Sequence, residues 1–151
     1  MAVGPKTPPR GVYAPVVCFF NDDETIAFDS ITAHVNRLLS SGVTGLVVHG
    51  SNGEATHLLA EEKLQVTRHI RSVISSSSNS QAIIISGCSA NSARETVLSI
   101  AASKEAGADF ALVLPPNYWA AAMSKPVIRN FYLEVGSDKH SSGLRHKQAL
   151  C

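Results

Sequence analysis

A bias of charge is what this chain lacks most plainly, with 13 Lys and Arg against 12 Asp and Glu, a net charge of +1 and an isoelectric point near 7.8. Without a basic excess, neither nucleic acid nor an anionic membrane is expected as the main partner. Cysteine is scarce as well. Cys18, Cys88 and Cys151 are odd in number and far apart, which argues against a disulfide framework and fits a reducing compartment. No apolar run approaches the roughly 20 residues that a membrane helix needs. The opening MAVGPKTPPR carries Lys6, Arg10 and prolines but no apolar segment, so it does not read as a secretory signal. The compartment implied is the cytoplasm, with the mitochondrion left open.

What is present suffices for a core: 151 residues, 44% hydrophobic and 17% charged, suit one domain. Two periodicities alternate along it. Continuous apolar runs fall at 12–20 (VYAPVVCFF), 45–48, 82–85 and 110–114, the middle two rich in β-branched residues. Helical stripes lie between them. Ile31, Val35, Leu38 and Leu39 follow a cap expected at Asp29 and stop at Gly42. Val66, Ile70, Val73 and Ile74 repeat the stripe, with Glu61, Glu62 and Lys63 expected to face water in its first turns. Ser92 and Glu95 form the capping-box pattern of a third helix ending near Gly107, and a fourth is expected from about Lys125 to Val135 with Pro126 in its first turn.

Strands apolar on both faces and separated by helices imply an α/β fold with a covered parallel sheet. Either an open doubly wound sheet or part of a (β/α)8 barrel satisfies this. In both, function gathers at the carboxyl ends of the strands. Those ends carry Cys18, then His49 to Glu54 (HGSNGE), then Gly87 to Ser89, then Pro115 to Tyr118.

The segment HGSNGE is the richest of these. Gly50 and Gly53 allow a tight turn after a strand, so the amides of Ser51 and Asn52 can converge on a small anion such as a carboxylate. The Ser51 hydroxyl can pass a proton. Gly-Ser-Asn-Gly is also a favoured plain turn. It is not a phosphate loop, because no Gly-Lys-Ser/Thr follows, and no Gly-x-Gly-x-x-Gly follows the first strand.

The ordered segments GVYAPVVCFF, SGVTGLVVHGSNGE, LLAEEK, IIISGCSANSARE and GADFALVLPPNYW together resemble the first half of the dihydrodipicolinate synthase and N-acetylneuraminate lyase family. The GSNGE spelling is most similar to its 4-hydroxy-2-oxoglutarate aldolase branch. The resemblance spans about Gly11 to Val135. It implies a partial (β/α)8 TIM barrel of about four βα units, preceded by a flexible segment over 1–10 and followed by an irregular, non-homologous and disordered tail over 136–151. It implies a class I aldolase that forms a Schiff base with a 2-oxo acid such as pyruvate, without cofactor or metal. Ser51 and Asn52 would hold the carboxylate, the Ser51 hydroxyl would join a proton relay, and Tyr118, the other catalytic residue, would reach into a neighbouring subunit's site. Asn117 and Trp119 depart from the family's Pro-Tyr-Tyr pattern, and Glu54 would support the turn.

The family's Schiff-base lysine, at the end of the sixth strand, lies downstream of the matched region. Lys6, Lys63, Lys104, Lys125, Lys139 and Lys147 have no obviously apolar setting, and a nucleophilic lysine needs burial or a nearby cation. The chain is therefore expected to be inactive alone, with a C-terminus that reads like a truncated, spliced or misassembled gene product. The alternative is a non-catalytic relative that binds 2-oxo acids or joins full-length subunits. Open strand edges favour a homo-oligomer or association with a barrel-completing subunit.

Other residues have weaker claims. His49 is a base, a ligand or a strand-end packing residue; His57 and Cys88 add no metal-ligand spacing to it. Cys88 reads as a buried thiol, the serines from Ser75 to Ser78 as a polar loop, and Trp119 beside Tyr118 as a packing or recognition patch.

Overall fold

The computed structural model describes residues 7–137 and the backbone of 149–150. Four parallel strands alternate with four helices: β1 (Tyr13–Pro15), α1 (Phe28–Ser40), β2 (Gly45–Val48), α2 (Ala60–Ser76), β3 (Ile83–Gly87), α3 (Ala93–Glu105), β4 (Phe110–Leu112) and α4 (Lys125–Val135). Short 3-10 turns at Ser51–Gly53 and Ala120–Ala122 follow β2 and β4.

Strand order decides between the two architectures. The sheet runs β1-β2-β3-β4 in chain order, every pair parallel. Successive right-handed crossovers between adjacent parallel strands put every helix on the same face, whereas a doubly wound sheet must reverse direction and cover both. Consecutive helices accordingly pack side by side, α1 on α2, α2 on α3 and α3 on α4. This is the N-terminal portion of a (β/α)8 barrel wall.

Alternation along the strands sorts the side chains. Leu46, Val48 and Ile84 point toward the helices and join Ile31, Val35, Ile70 and Ile74 in one buried cluster. Each such side chain contributes about 1.5–3 kcal/mol. Pro15, Val47, Ile85 and Phe110, paired in register across the four strands, alternate with them and form a row on the opposite, barrel-interior face.

The helices match their sequence stripes, with exceptions at the ends. Ala27, not Asp29, occupies the cap of α1 and offers no side-chain bond; Asp29 lies inside the first turn, where its charge still suits the helix dipole. The run 12–20 yields only a three-residue strand, because Pro15 has no N–H to continue a ladder and is tolerated here at the sheet edge. In α3, the Ser92 half of the box forms: its hydroxyl oxygen accepts the Glu95 N–H at 3.1 Å. Below the sheet, Arg71 of α2 pairs with Asp109, which also accepts the Ile84 N–H at 2.8 Å, so one clamp fastens β3 and the start of β4 to α2.

Most of the tail expected over 136–151 lies outside the described residues. Its backbone at Ala149–Leu150 forms β5, parallel to β4 opposite Ala111 and Leu112, and so occupies an edge read as open. No helix among the described residues is long and apolar enough to cross a membrane.

Candidate functional site

A cleft of about 450 Å³ opens at the carboxyl ends of β2, β3 and β4, within the size range of small-molecule sites. Its walls include His49, Ser51, Lys63, Ser89, Asn91 and Asn117.

The turn after β2 is built differently from a glycine turn. The left-handed residues are His49, at φ +56°, and Glu54, at φ +51°, not the glycines between them. Left-handed backbone costs a residue with a Cβ about 1–2 kcal/mol. His49 is held there from two sides. A Cβ on Gly87 would lie 2.0 Å from the His49 carbonyl oxygen, so only glycine lets β3 approach this closely. Its ring Nε2 lies 2.9 Å from the Thr67 hydroxyl, whose own proton goes to the Lys63 carbonyl at 2.8 Å. Thr67 can then only accept from the ring, which fixes the Nε2–H tautomer. Burial is the main reason the His49 pKa falls to about 4; a backbone hydrogen bond at Lys63 opposes the shift and the Lys63 charge adds to it. His49 is therefore neutral and serves as a buried strut, the packing role among those open to it.

Gly53 also serves close approach, since a Cβ there would come within 2.9 Å of the Val16 carbonyl. The 3-10 turn satisfies the Gly53 and Glu54 amides through the Gly50 and Ser51 carbonyls, at 3.0 and 3.2 Å. The Ser51 and Asn52 amides, first in the turn, take no partner among the described residues. Two free donors at a strand's carboxyl end are what an anion cradle requires.

The other walls are knitted together by residues that the sequence did not single out. Ser89 accepts the Leu114 N–H at 2.7 Å through its hydroxyl oxygen, and the Asn91 side-chain carbonyl accepts the Asn117 and Tyr118 N–H groups at 3.3 and 3.2 Å. The loop after β3 thereby positions the loop after β4. Both side chains keep donors to spare, the Ser89 hydroxyl proton and the Asn91 amide.

Ser51 lines the cleft; Asn52 and Tyr118 lie outside its lining. Tyr118 is 75% exposed and meets Trp119 edge-on, with ring centroids 5.2 Å apart. Lys63, expected to face water, instead lines the cleft and is half-buried. The signal for this lay in the spacing: Lys63 stands three and four residues before Val66 and Thr67, on the buried stripe of α2. Glu62 folds back along the surface to cap α2, accepting the Leu59 N–H at 2.6 Å. Cys88 is buried against Ser86 and Ser103, and burial raises its pKa, as expected of an inert thiol.

The Dihydrodipicolinate synthetase family profile matches residues 8–139. A protein of Emericella nidulans named a probable 4-hydroxy-2-oxoglutarate aldolase, mitochondrial, is 38% identical over 135 residues, covering 89% of this chain and 43% of that protein. The crystal structure of a dihydrodipicolinate synthase family protein from Coccidioides immitis superposes with a TM-score of 0.78 at 34% identity, over 87% of this chain and 41% of that one. YagE, a prophage protein of the same family from E. coli K12 solved in complex with pyruvate, gives a TM-score of 0.73 at 28% identity, over 83% and 40%. The chain thus spans about two fifths of the length of these relatives. Both the ordered motifs and the barrel wall they fold into are accounted for, and the chain belongs to the dihydrodipicolinate synthetase family.

Proposed function

We propose that this chain supplies the carboxylate-binding side of a class I, Schiff-base aldolase acting on 2-oxo acids such as 4-hydroxy-2-oxoglutarate. The observation that carries the reading is the pair of unpartnered amides at Ser51 and Asn52, at the end of β2 beside the cleft. They receive the pyruvate carboxylate. The Ser51 hydroxyl, with no other partner among the described residues, then relays the proton exchanged when an amine adds to the C2 carbonyl and water departs, together with a Tyr118 reaching in from a neighbouring subunit. No metal or cofactor takes part.

The amine comes from outside the described residues. Lys104 and Lys125 are exposed on helices, and Lys63 sits in the cleft wall rather than at a strand end. On the face opposite the helices Pro15 is exposed and Val47 half-buried, whereas Ile85 and Phe110 are buried, so the β1 side of the sheet is the part open to a second copy or a barrel-completing subunit. The cytoplasm and the mitochondrion are the proposed compartments, the latter being in the name of the Emericella relative.

Titrating the chain with pyruvate should shift the Ser51 and Asn52 amide resonances, while peptide mapping after borohydride reduction should find no adduct on Lys63, Lys104 or Lys125. Absence of any amide shift at saturating pyruvate defeats the carboxylate cradle. A pyruvate adduct on Lys63, Lys104 or Lys125 defeats the statement that the amine lies outside the described residues.

A further inference from the structure

The outer edge of β4 is a row of backbone groups that need partners. The Leu112 carbonyl accepts the Cys88 N–H at 2.9 Å, so Leu112 bonds to β3. Backbone groups alternate along a strand, and those of Ala111 and Val113 therefore point to the other side. Both residues are buried, where unpaired N–H and C=O groups are costly. One group is satisfied by α4, whose Tyr132 hydroxyl donates to the Val113 carbonyl at 3.1 Å. The others lie against β5, which runs parallel to β4 with Ala149 opposite Ala111 and Leu150 opposite Leu112. This register turns the Leu150 N–H to the Ala111 carbonyl and the Ala149 N–H away from β4.

β5 stands where a barrel wall continues, because the strand order makes β4 the edge that receives the next parallel strand. The opposite edge is β1. There the Val12 carbonyl accepts the Thr44 N–H at 2.8 Å and the Val16 N–H goes to the Val47 carbonyl at 2.9 Å, so Tyr13 and Pro15 face outward, and Pro15 has no N–H to give. Two such four-strand walls have the eight strands of a closed barrel, and closure brings the β1 of each copy to the β4 of the other. Each of those seams lacks the Pro15 donor. A short strand on the same chain competes with it at an effective concentration of about 1 mM.

Resting on the reading of the β1 side as open to a second copy, we propose that β5 is a stand-in strand. It completes the β4 edge within the chain and withholds that edge from the β1 of a second copy. Association then requires β5 to leave β4 in both copies.

Light scattering against concentration, together with amide hydrogen exchange, tests this on the full chain. Leu150→Pro deletes the N–H that faces Ala111, whereas Ala149→Pro deletes one that faces away, where an edge strand tolerates proline. Leu150→Pro should speed exchange at Ala111 and Val113 and lower the dimer dissociation constant about tenfold, since one competing hydrogen bond is removed from each copy. Ala149→Pro should match the wild type in both measurements. Unchanged exchange at Ala111 and Val113 in Leu150→Pro, or an equal response to Ala149→Pro, overturns the stand-in strand. Faster exchange with unchanged or weaker association overturns the competition and leaves the association reading standing. Failure of the wild type and both variants to associate at any concentration overturns that reading and the inference together.

Discussion

The two halves of the molecule are held together by different means. Under α1 and α2 the core is made of large aliphatic side chains, with Ile31, Val35, Leu46, Ile70, Ile74 and Ile84 almost fully buried. Under α3 and α4 it shrinks to Cys88, Ala111, Val113, Phe131 and Val135, and the buried positions of α3 are Thr96 and Ser103. There, hydroxyl and thiol contacts between Ser86, Ser103 and Cys88, at 3.2 and 3.4 Å, stand where aliphatic packing would be. The cleft draws walls from both halves. Its first wall rests on a deep core and its second on short polar bonds.

Truncation tests this difference most strongly. Ile70→Ala should cost about 4 kcal/mol, because a well-packed site leaves a cavity, whereas Phe131→Ala should cost only about 3 kcal/mol, the low end for an aromatic, although it deletes more atoms. Ile70 is fully buried among aliphatic side chains, while Phe131 packs in the smaller cluster at 7% exposure. Urea midpoints at constant slope give both values. A larger loss for Phe131→Ala would erase the proposed contrast.

Acid should act on the first half through His49. Its pKa falls from 6.5 to about 4 on folding, so protons favour the unfolded chain. The stability tied to the neutral ring is complete above pH 6.5, declines as pH falls, and is lost below about 4, a change of about 3 kcal/mol. His34, lowered by burial and then by Arg37, adds in the same sense. Urea unfolding at pH 7 and at pH 4 should show the drop, and His49→Gln should remove most of it. An equal drop in that variant would place the acid sensitivity elsewhere.

These two predictions rest on features that were unequally legible in the sequence. Stripes such as Val66, Ile70 and Ile74 fix a helix because burial repeats with its turn, and Pro126 with Val135 bracketed α4 correctly. Composition alone could not separate an open sheet from a barrel; strand order does that, and order is a long-range property. Within the cleft, the Ser51 turn was readable because its donors are local. The roles of Asn91 and Ser89 were not, since their partners lie 25 to 27 residues away. Lys63 was misplaced through its charge, although its position on the α2 stripe pointed inward.

The smallest expected effect probes how the weaker half holds its wall. Ser92 caps α3 through the Glu95 amide and directly follows Asn91, whose side chain anchors Asn117 and Tyr118. Ser92→Ala leaves that amide without its partner and should cost about 1 kcal/mol. The loss should be local. Amide hydrogen exchange should quicken in the first turn of α3 and at Asn117 and Tyr118, with little change along α1 and α2. Such a pattern means that the cap stiffens the cleft wall through its neighbour in the chain. Uniform acceleration across all four helices would instead mean that the halves unfold as one unit, and that the difference between their cores does not divide the molecule's stability.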